Sequence, residues 1–110
     1  VGTIMNEKYS SLFQGGHITR EMIGELRGAG AVGDVAALHF DINGNVPEAE
    51  FDERLVGIAR EDLLSIPVRL AVAGNQAKAE AILGALRGGY VNQLVTDSIT
   101  AEAVLALDER

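Results

Sequence analysis

The sequence predicts an α/β domain with a parallel sheet, and the last third of the chain carries the main indication. Two apolar segments typical of buried strands, 68–73 and 90–95, alternate with two segments typical of helices, 75–87 and 98–107. This order calls for parallel strands joined by right-handed crossovers. The second indication is size, because 110 residues, 47% of them apolar, are enough for one domain with a real core.

Capping and breaking residues mark the ends of the predicted helices. Thr19 can cap a helix that Gly28 ends, and Asp97 can cap the last helix. Pro67 closes a short helix, since proline cannot continue one. The elements predicted before residue 68 are the end of a strand at 1–4, a helix at 20–27, a buried strand at 35–40, an Asn-Gly turn at 41–44, a strand at 54–59 and a helix at 61–65.

The composition excludes several classes of protein. The chain has no cysteine, which excludes disulfides, thiolate zinc sites and cysteine nucleophiles. Sixteen acidic and nine basic side chains leave a net charge of −7, without the basic patch that nucleic-acid binding requires. No apolar run reaches the roughly 18 residues that span a bilayer, and no signal-peptide pattern opens the chain. We therefore expect a cytoplasmic protein with no membrane partner.

The strongest local indication of a binding site is the segment 73–78, Ala-Gly-Asn-Gln-Ala-Lys. A buried strand ends there in Gly74 and a helix follows at once, which is where open α/β sheets bind ligands. Lys78 falls at about the third helical position, where the helix dipole disfavours a cation by up to roughly 1 kcal/mol. A bound anion would reverse that effect. The alternative is a solvated lysine paired with Glu80 or Asp97, and the residues alone leave both open.

The segment 28–33 matches the G-x-G-x-x-G pattern of dinucleotide sites. That motif must follow a strand and open a helix, whereas this segment follows a helix, so we interpret it as a tight helix-to-strand connection. Asp34 ends the connection and can accept hydrogen bonds from sugar hydroxyls or from its own turn. Ser10 and Ser11 lie in a polar loop, where they can donate to a ligand or cap the residues that follow.

No set of residues has the arrangement of a catalytic or metal site. His17 and His39 lack a second ligand at metal-binding spacing, and no serine lies in a nucleophile-elbow pattern. We interpret His39 as a structural histidine on a strand. The sequence therefore predicts no catalytic residue, no metal and no cofactor, and we expect a protein that is not an enzyme.

Short segments spread over nearly the whole chain form an ordered combination. They are 10–12, 26–34, 40–41, 56–58, 66–67, 71–74, 88–92 and 94–97, together with Gly44, Leu63, Lys78, Ala81 and Ile82. In this combination the sequence resembles the C-terminal half of the sugar-binding domain of SorC-type bacterial transcription regulators, which are relatives of the deoxyribonucleoside regulator. No single segment is specific, but their order is.

The resemblance implies a partial effector domain over residues 1–110, in a three-layer fold similar to sugar-phosphate isomerases, glucosamine-phosphate deaminases and CoA transferases. In such regulators an N-terminal helix-turn-helix binds DNA, and a phosphorylated sugar alters oligomerisation and DNA affinity. We expect this chain to bind such an effector, to be a homo-oligomer, and to reach DNA only through a helix-turn-helix outside it. The alternatives are a sugar-phosphate isomerase or deaminase with Asp34 or Asp97 as general base, and a bare dimerisation module.

The resemblance also implies four ligand-binding residues. Asp34 occupies the acidic position that contacts sugar hydroxyls, and Lys78 occupies the basic position that contacts phosphate, with Gly74 beside it. Ser11 matches a small hydroxyl residue in the loop after the first strand. Asn75 stands where family members commonly have a second glycine, and it keeps the helix start because asparagine caps well.

Overall fold

The computed structural model describes residues 1–3, 16, 19–36, 38–47 and 58–109 of the chain. The mixture of helices and strands among them confirms the predicted α/β class. The elements, in chain order, are β1 (Gly2–Thr3), α1 (Arg20–Gly28), β2 (Ala31–Val35), β3 (Leu38–Asp41), α2 (Arg60–Leu64), β4 (Leu70–Val72), a 3₁₀ turn (Gln76–Lys78), α3 (Ala79–Arg87), β5 (Gln93–Val95) and α4 (Ser98–Asp108).

The described strands form two small sheets of different kinds. β4 and β5 are parallel, with Leu70 beside Gln93 and Val72 beside Val95. β1, β2 and β3 form an antiparallel sheet with β2 in the middle. The predicted parallel sheet is therefore confirmed for β4 and β5 and wrong for the first three strands. For β2 and β3 the reason is the short link between them, because parallel neighbours need a crossover of a dozen or so residues.

The strand predicted at 35–40 contains the turn that joins β2 to β3. The chain turns at Ala36, whose φ is 51°. Alanine is uncommon at positive φ, and no glycine, proline or asparagine marks this turn in the sequence. β2 begins at Ala31, inside the segment that we interpreted as a connection, so Asp34 lies on a strand and not in a loop.

Helices α1 and α4 begin at the predicted capping residues. Thr19 Oγ1 accepts a hydrogen bond from the Met22 N–H (3.2 Å) at the start of α1. Asp97 Oδ1 accepts one from the Thr100 N–H (2.7 Å) at the start of α4. The turn predicted at 41–44 is confirmed as well. These predictions hold because each depends on a hydrogen bond between residues close in sequence.

Two further predictions concern the residues around 60. α2 confirms the helix predicted at 61–65 to within one residue. Of the strand predicted at 54–59, residues 54–57 lie outside the described part of the chain, and 58–59 form no strand. None of the helices in the described ranges is long and apolar enough to cross a membrane.

The helix α3 lies at the centre of the core and packs against β2 and β3. A Cβ placed on Gly84 of α3 would lie only 2.8 Å from Phe40 Cδ2, and one placed on Gly33 of β2 would overlap Ala81. Small residues therefore let this helix approach the antiparallel sheet at backbone distance. Its buried residues are Ala79, Ala81, Ile82, Leu83, Gly84 and Ala85.

The β4–β5 pair has one covered face and one open face. Ala71 and Leu94 point into the core. Leu70, Val72 and Val95 lie on the opposite face, where 54%, 75% and 55% of their surfaces are exposed. Parallel strands are usually covered on both faces. In this chain, the described residues cover only one.

Candidate functional site

The turn between β4 and α3 has an unusual backbone. Asn75 has a φ of 96° and a ψ of 123°, a conformation that residues with a side chain rarely adopt and that is costly unless surrounding contacts hold it. Glycine adopts such a conformation without this cost. The Asn75 carbonyl accepts from the Lys78 N–H (2.9 Å), and its Oδ1 accepts from the Ala77 N–H (3.0 Å). The predicted helix start is thus a 3₁₀ turn that leads into α3.

Lys78 is the third residue of the 3₁₀ turn and is half-buried at the beginning of α3. Among the described residues it makes no ion pair, so neither Glu80 nor Asp97 holds its ammonium group. The alternative of a lysine paired with one of these carboxylates is therefore not what the structure shows. A half-buried cation beside the positive end of a helix is the arrangement that a bound anion would stabilise.

The Asp97 carboxylate is hydrogen-bonded to Thr100 and not to Lys78. Its Oδ1 accepts from the Thr100 N–H (2.7 Å), and its Oδ2 accepts from the Thr100 hydroxyl (2.9 Å). The Thr100 N–H and then its hydroxyl lower the pKa of the Asp97 carboxyl, while partial desolvation opposes them. The Thr100 Oγ1 accepts in turn from the Asn75 N–H (3.0 Å). Helix α4 is thereby tied to the turn that precedes α3.

Gly74 lies against the same carboxylate. A Cβ at this position would lie 2.8 Å from Asp97 Oδ2, which is closer than real Cβ atoms come to a neighbour. Glycine at position 74 therefore lets the turn pass over Asp97. This close approach is a structural reason for Gly74 in addition to the ligand contact predicted for it.

Asp34 is half-buried on β2, where its register partners are Gly2 of β1 and His39 of β3. A Cβ on Gly2 would overlap the Asp34 carboxylate, so this side chain lies across β1. The 3₁₀ turn contacts β1 as well. Asp34 and Lys78, which are 44 positions apart in the sequence, thus belong to elements that both adjoin β1.

The other candidate residues are placed as follows. Ser11 and His17 lie outside the described residues, so their predicted roles stay predictions. His39 is fully buried on β3, in agreement with a structural role. The described ranges contain no group of three or more side chains that could hold a metal ion.

The residue that sequence reasoning missed is Thr100. Its hydroxyl connects Asp97 to Asn75, and the residue is only 1% exposed. The local signal is an Asp-x-x-Thr spacing at a helix start, in which the third residue of the helix can donate to the capping carboxylate. That spacing predicts the contact to Asp97 but not the contact to Asn75, which lies 25 residues earlier in the chain.

The chain matches, over residues 1–106, the family described as "Putative sugar-binding domain". It is also 48% identical over 77 residues to the "Transcriptional regulator LsrR" of Escherichia coli O139:H28 (strain E24377A / ETEC). That alignment covers 69% of this chain and 24% of the relative. The chain therefore spans about a quarter of the length of the curated relative it matches.

Two solved structures of regulators superpose on the chain. A transcriptional regulator from Streptococcus pneumoniae TIGR4 does so with a TM-score of 0.86 at 33% identity, covering 99% of this chain and 41% of the other. The full-length sorbitol operon regulator SorC from Klebsiella pneumoniae does so with a TM-score of 0.80 at 28% identity, covering 94% of this chain and 33% of the other. The resemblance to SorC-type regulators that the sequence predicts is confirmed.

Proposed function

This chain belongs to the sugar-binding domain family, and we propose that it forms part of the site through which a bacterial transcriptional regulator senses a phosphorylated sugar. The observation that carries the proposal is the environment of Lys78. Lys78 is half-buried where a helix begins, and its ammonium group has no ion-pair partner among the described residues. An anion bound there would offset the cost of a cation next to the positive end of the helix dipole.

The phosphate contact of this proposal depends mainly on the lysine side chain. The N–H groups of Ala77 and Lys78 already donate to Asn75, so within the turn they are not free to bind a ligand. The ammonium group supplies the charge, and a charge-assisted hydrogen bond to phosphate is stronger than a neutral one.

In this proposal, Asp34 contacts the sugar end of the effector. A carboxylate accepts hydrogen bonds from hydroxyl groups, and it repels phosphate. Asp34 and the 3₁₀ turn that ends in Lys78 both adjoin β1, and we assign the two charged residues to opposite ends of one ligand. Ser11, which the resemblance places at a small hydroxyl position, would add a donor.

The regulator as a whole lies beyond this chain. We propose that effector binding alters the homo-oligomeric state and the DNA affinity of a longer protein, through an N-terminal helix-turn-helix, in the cytoplasm. We propose likewise that the scaffold is the three-layer fold of sugar-phosphate isomerases, used here without catalysis. The names of the relatives support this proposal, since each is a transcriptional regulator.

Calorimetry with a panel of sugar phosphates, each paired with its unphosphorylated sugar, tests the phosphate contact. The Lys78→Met variant keeps most of the side-chain length and removes the charge. It should weaken binding of the best phosphate by about 10- to 100-fold, as expected for one lost charge-assisted hydrogen bond. Binding of the unphosphorylated sugar should not change.

The matched control is Arg87→Met, which removes one positive charge from the opposite end of α3. Arg87 pairs with Asp108 at 2.9 Å on the surface, and exposed pairs of this kind contribute little to stability. The control should bind like the unmodified chain. Equal affinity of the Lys78→Met variant and the unmodified chain for every phosphate would refute the proposed phosphate contact.

A further inference from the structure

Consecutive hydrogen bonds connect Asp97 to the backbone of Lys78. The Thr100 hydroxyl donates to Asp97 Oδ2 and accepts from the Asn75 N–H. The Asn75 carbonyl then accepts from the Lys78 N–H. Thr100 is almost completely buried, whereas Asp97 and Asn75 are exposed, so water is kept away from these bonds only on the Thr100 side.

The turn needs this support because its central residue is strained. Asn75 has a positive φ, and a residue other than glycine keeps such a conformation only when its surroundings hold it. Three hydrogen-bonding groups of Asn75 are engaged: the N–H with Thr100, the carbonyl with Lys78 and the side-chain oxygen with Ala77. Removal of the Thr100 hydroxyl would leave the Asn75 N–H without its acceptor and would free the turn at that point.

We infer that Asp97 is a positioning residue for Lys78, and that it acts through Thr100. The inference rests on the proposed phosphate contact, because it assigns a function to the orientation of the turn that carries Lys78. The carboxylate does not touch the ligand. It orients the Thr100 hydroxyl, which holds the strained turn in the conformation that places Lys78 at the start of α3.

A simpler role for Asp97 would be that of a helix cap. Capping of α4 needs only one carboxylate oxygen, which accepts from the Thr100 N–H. The second oxygen accepts from the Thr100 hydroxyl, which in turn accepts from the Asn75 N–H; the Asn75 N–H also acts on the Asp97 carboxylate directly. Substitutions at Thr100 therefore separate the two roles, because the cap depends on the backbone of Thr100 and the connection depends on its hydroxyl.

The test uses the 110-residue chain and inorganic phosphate, titrated by NMR with the amide of Lys78 as the reporter. Thr100→Val removes the hydroxyl at nearly constant volume, and we expect phosphate affinity to fall about tenfold, as for one lost buried hydrogen bond. Thr100→Ser keeps the hydroxyl and should stay within about twofold of the unmodified chain. In a Lys78→Met background, Thr100→Val should have no further effect, because the charge that it positions is gone.

Asp97→Ser provides a second route if Thr100→Val does not fold. Serine caps helices well, but it lacks the second carboxylate oxygen that accepts from the Thr100 hydroxyl. It should lower phosphate affinity as Thr100→Val does, while the amides of the first turn of α4 keep their protection from hydrogen exchange. An unchanged phosphate affinity in a folded Asp97→Ser chain would contradict the positioning role.

The outcomes separate the positioning role from the proposed function. If Lys78→Met weakens phosphate binding and Thr100→Val does not, the positioning role is refuted and the phosphate contact stands. If the unmodified chain binds phosphate no better than Lys78→Met, the phosphate contact fails. The hydrogen bonds from Asp97 through Thr100 to Asn75 are then tested by hydrogen exchange. Thr100→Val should speed exchange of the Asn75 amide about tenfold, and unchanged exchange would refute this hydrogen-bond path.

Discussion

Helix α3 meets the antiparallel sheet and helix α4 in different ways. Against the antiparallel sheet, α3 presents Ala81 and Gly84, and the approach is so close that neither Gly33 nor Gly84 has room for a methyl group. Toward α4 and the end of β4, the same helix presents the larger side chains of Ile82 and Leu83. One interface is made at backbone distance and the other by interlocking side chains.

The difference predicts which region tolerates substitution. A backbone contact has no side chain that can move aside, so added volume must displace a whole element. A contact between side chains can adjust by changes of rotamer. The β4–β5 pair also has an open face, where substitution should cost almost nothing. Stability should therefore be most sensitive at the antiparallel sheet and least sensitive on the open face of the parallel pair.

The largest effect is expected for Gly84→Ala. The added methyl group would meet the Asp41 carbonyl and the Phe40 ring, and we expect the free energy of unfolding to fall by about 3 kcal/mol. Gly24→Ala is the matched control, since nothing lies within 4 Å of a Cβ at this position of α1. It should gain about 0.5–1 kcal/mol from helix propensity. Urea denaturation measures both, and similar values would contradict a backbone contact at Gly84.

A smaller effect separates the two faces of β4. Ala71 is 7% exposed and Val72 is 75% exposed. Ala71→Thr places a methyl and a hydroxyl in the core and should cost about 1–2 kcal/mol, whereas Val72→Thr should change stability by less than about 0.5 kcal/mol. Thermal and urea denaturation of both variants give the comparison. A loss at Val72 as large as that at Ala71 would mean that the open face is covered in solution.

The smallest expected effect is a dependence of stability on pH that arises from Asp97, which follows β5. Hydrogen bonds from Thr100 hold the pKa of Asp97 below its ordinary value of 3.8. Because the folded state binds the ionised form better, this contribution to stability is complete above the ordinary value and is lost as the pH falls through the lowered pKa. NMR titration should place the Asp97 midpoint below 3.8.

The control for this pH effect is Asp97→Asn, whose stability should lack that part of the acid dependence. In the unmodified chain, amides at the start of α4 should lose protection from hydrogen exchange first on acidification, and those of β2 and β3 later. An Asp97 midpoint at or above the ordinary value would show that the Thr100 contacts do not persist in solution.

Much of the fold could be predicted from the sequence, and the exceptions have a common cause. β4, α3, β5 and α4 alternate with clear breaks, so their order and the parallel pairing follow from periodicity. The turn at Ala36 could not be predicted, because the residues from 31 to 40 contain no proline or asparagine and their last glycine is Gly33. The antiparallel pairing was missed for that reason.

The candidate site also contains residues that the sequence predicts and residues that it does not. Lys78 is unusual in the sequence itself, since it places a cation in the first turn of a predicted helix. Asp34 follows from the family resemblance, but a loop position was expected and a strand position is found. Thr100 could not have been connected to Asn75, because their hydrogen bond joins residues on two different helix starts.

The sequence by itself determined the α/β class, the capped starts of α1 and α4, the parallel pair and the anomalous lysine. Each of these depends on interactions between residues near one another in the chain, or on a pattern with a fixed period. The tertiary structure decided the antiparallel sheet, the backbone contact at Gly84, the strained conformation of Asn75 and its connection to Asp97. These depend on the space and the partners that distant segments provide, which no local pattern encodes.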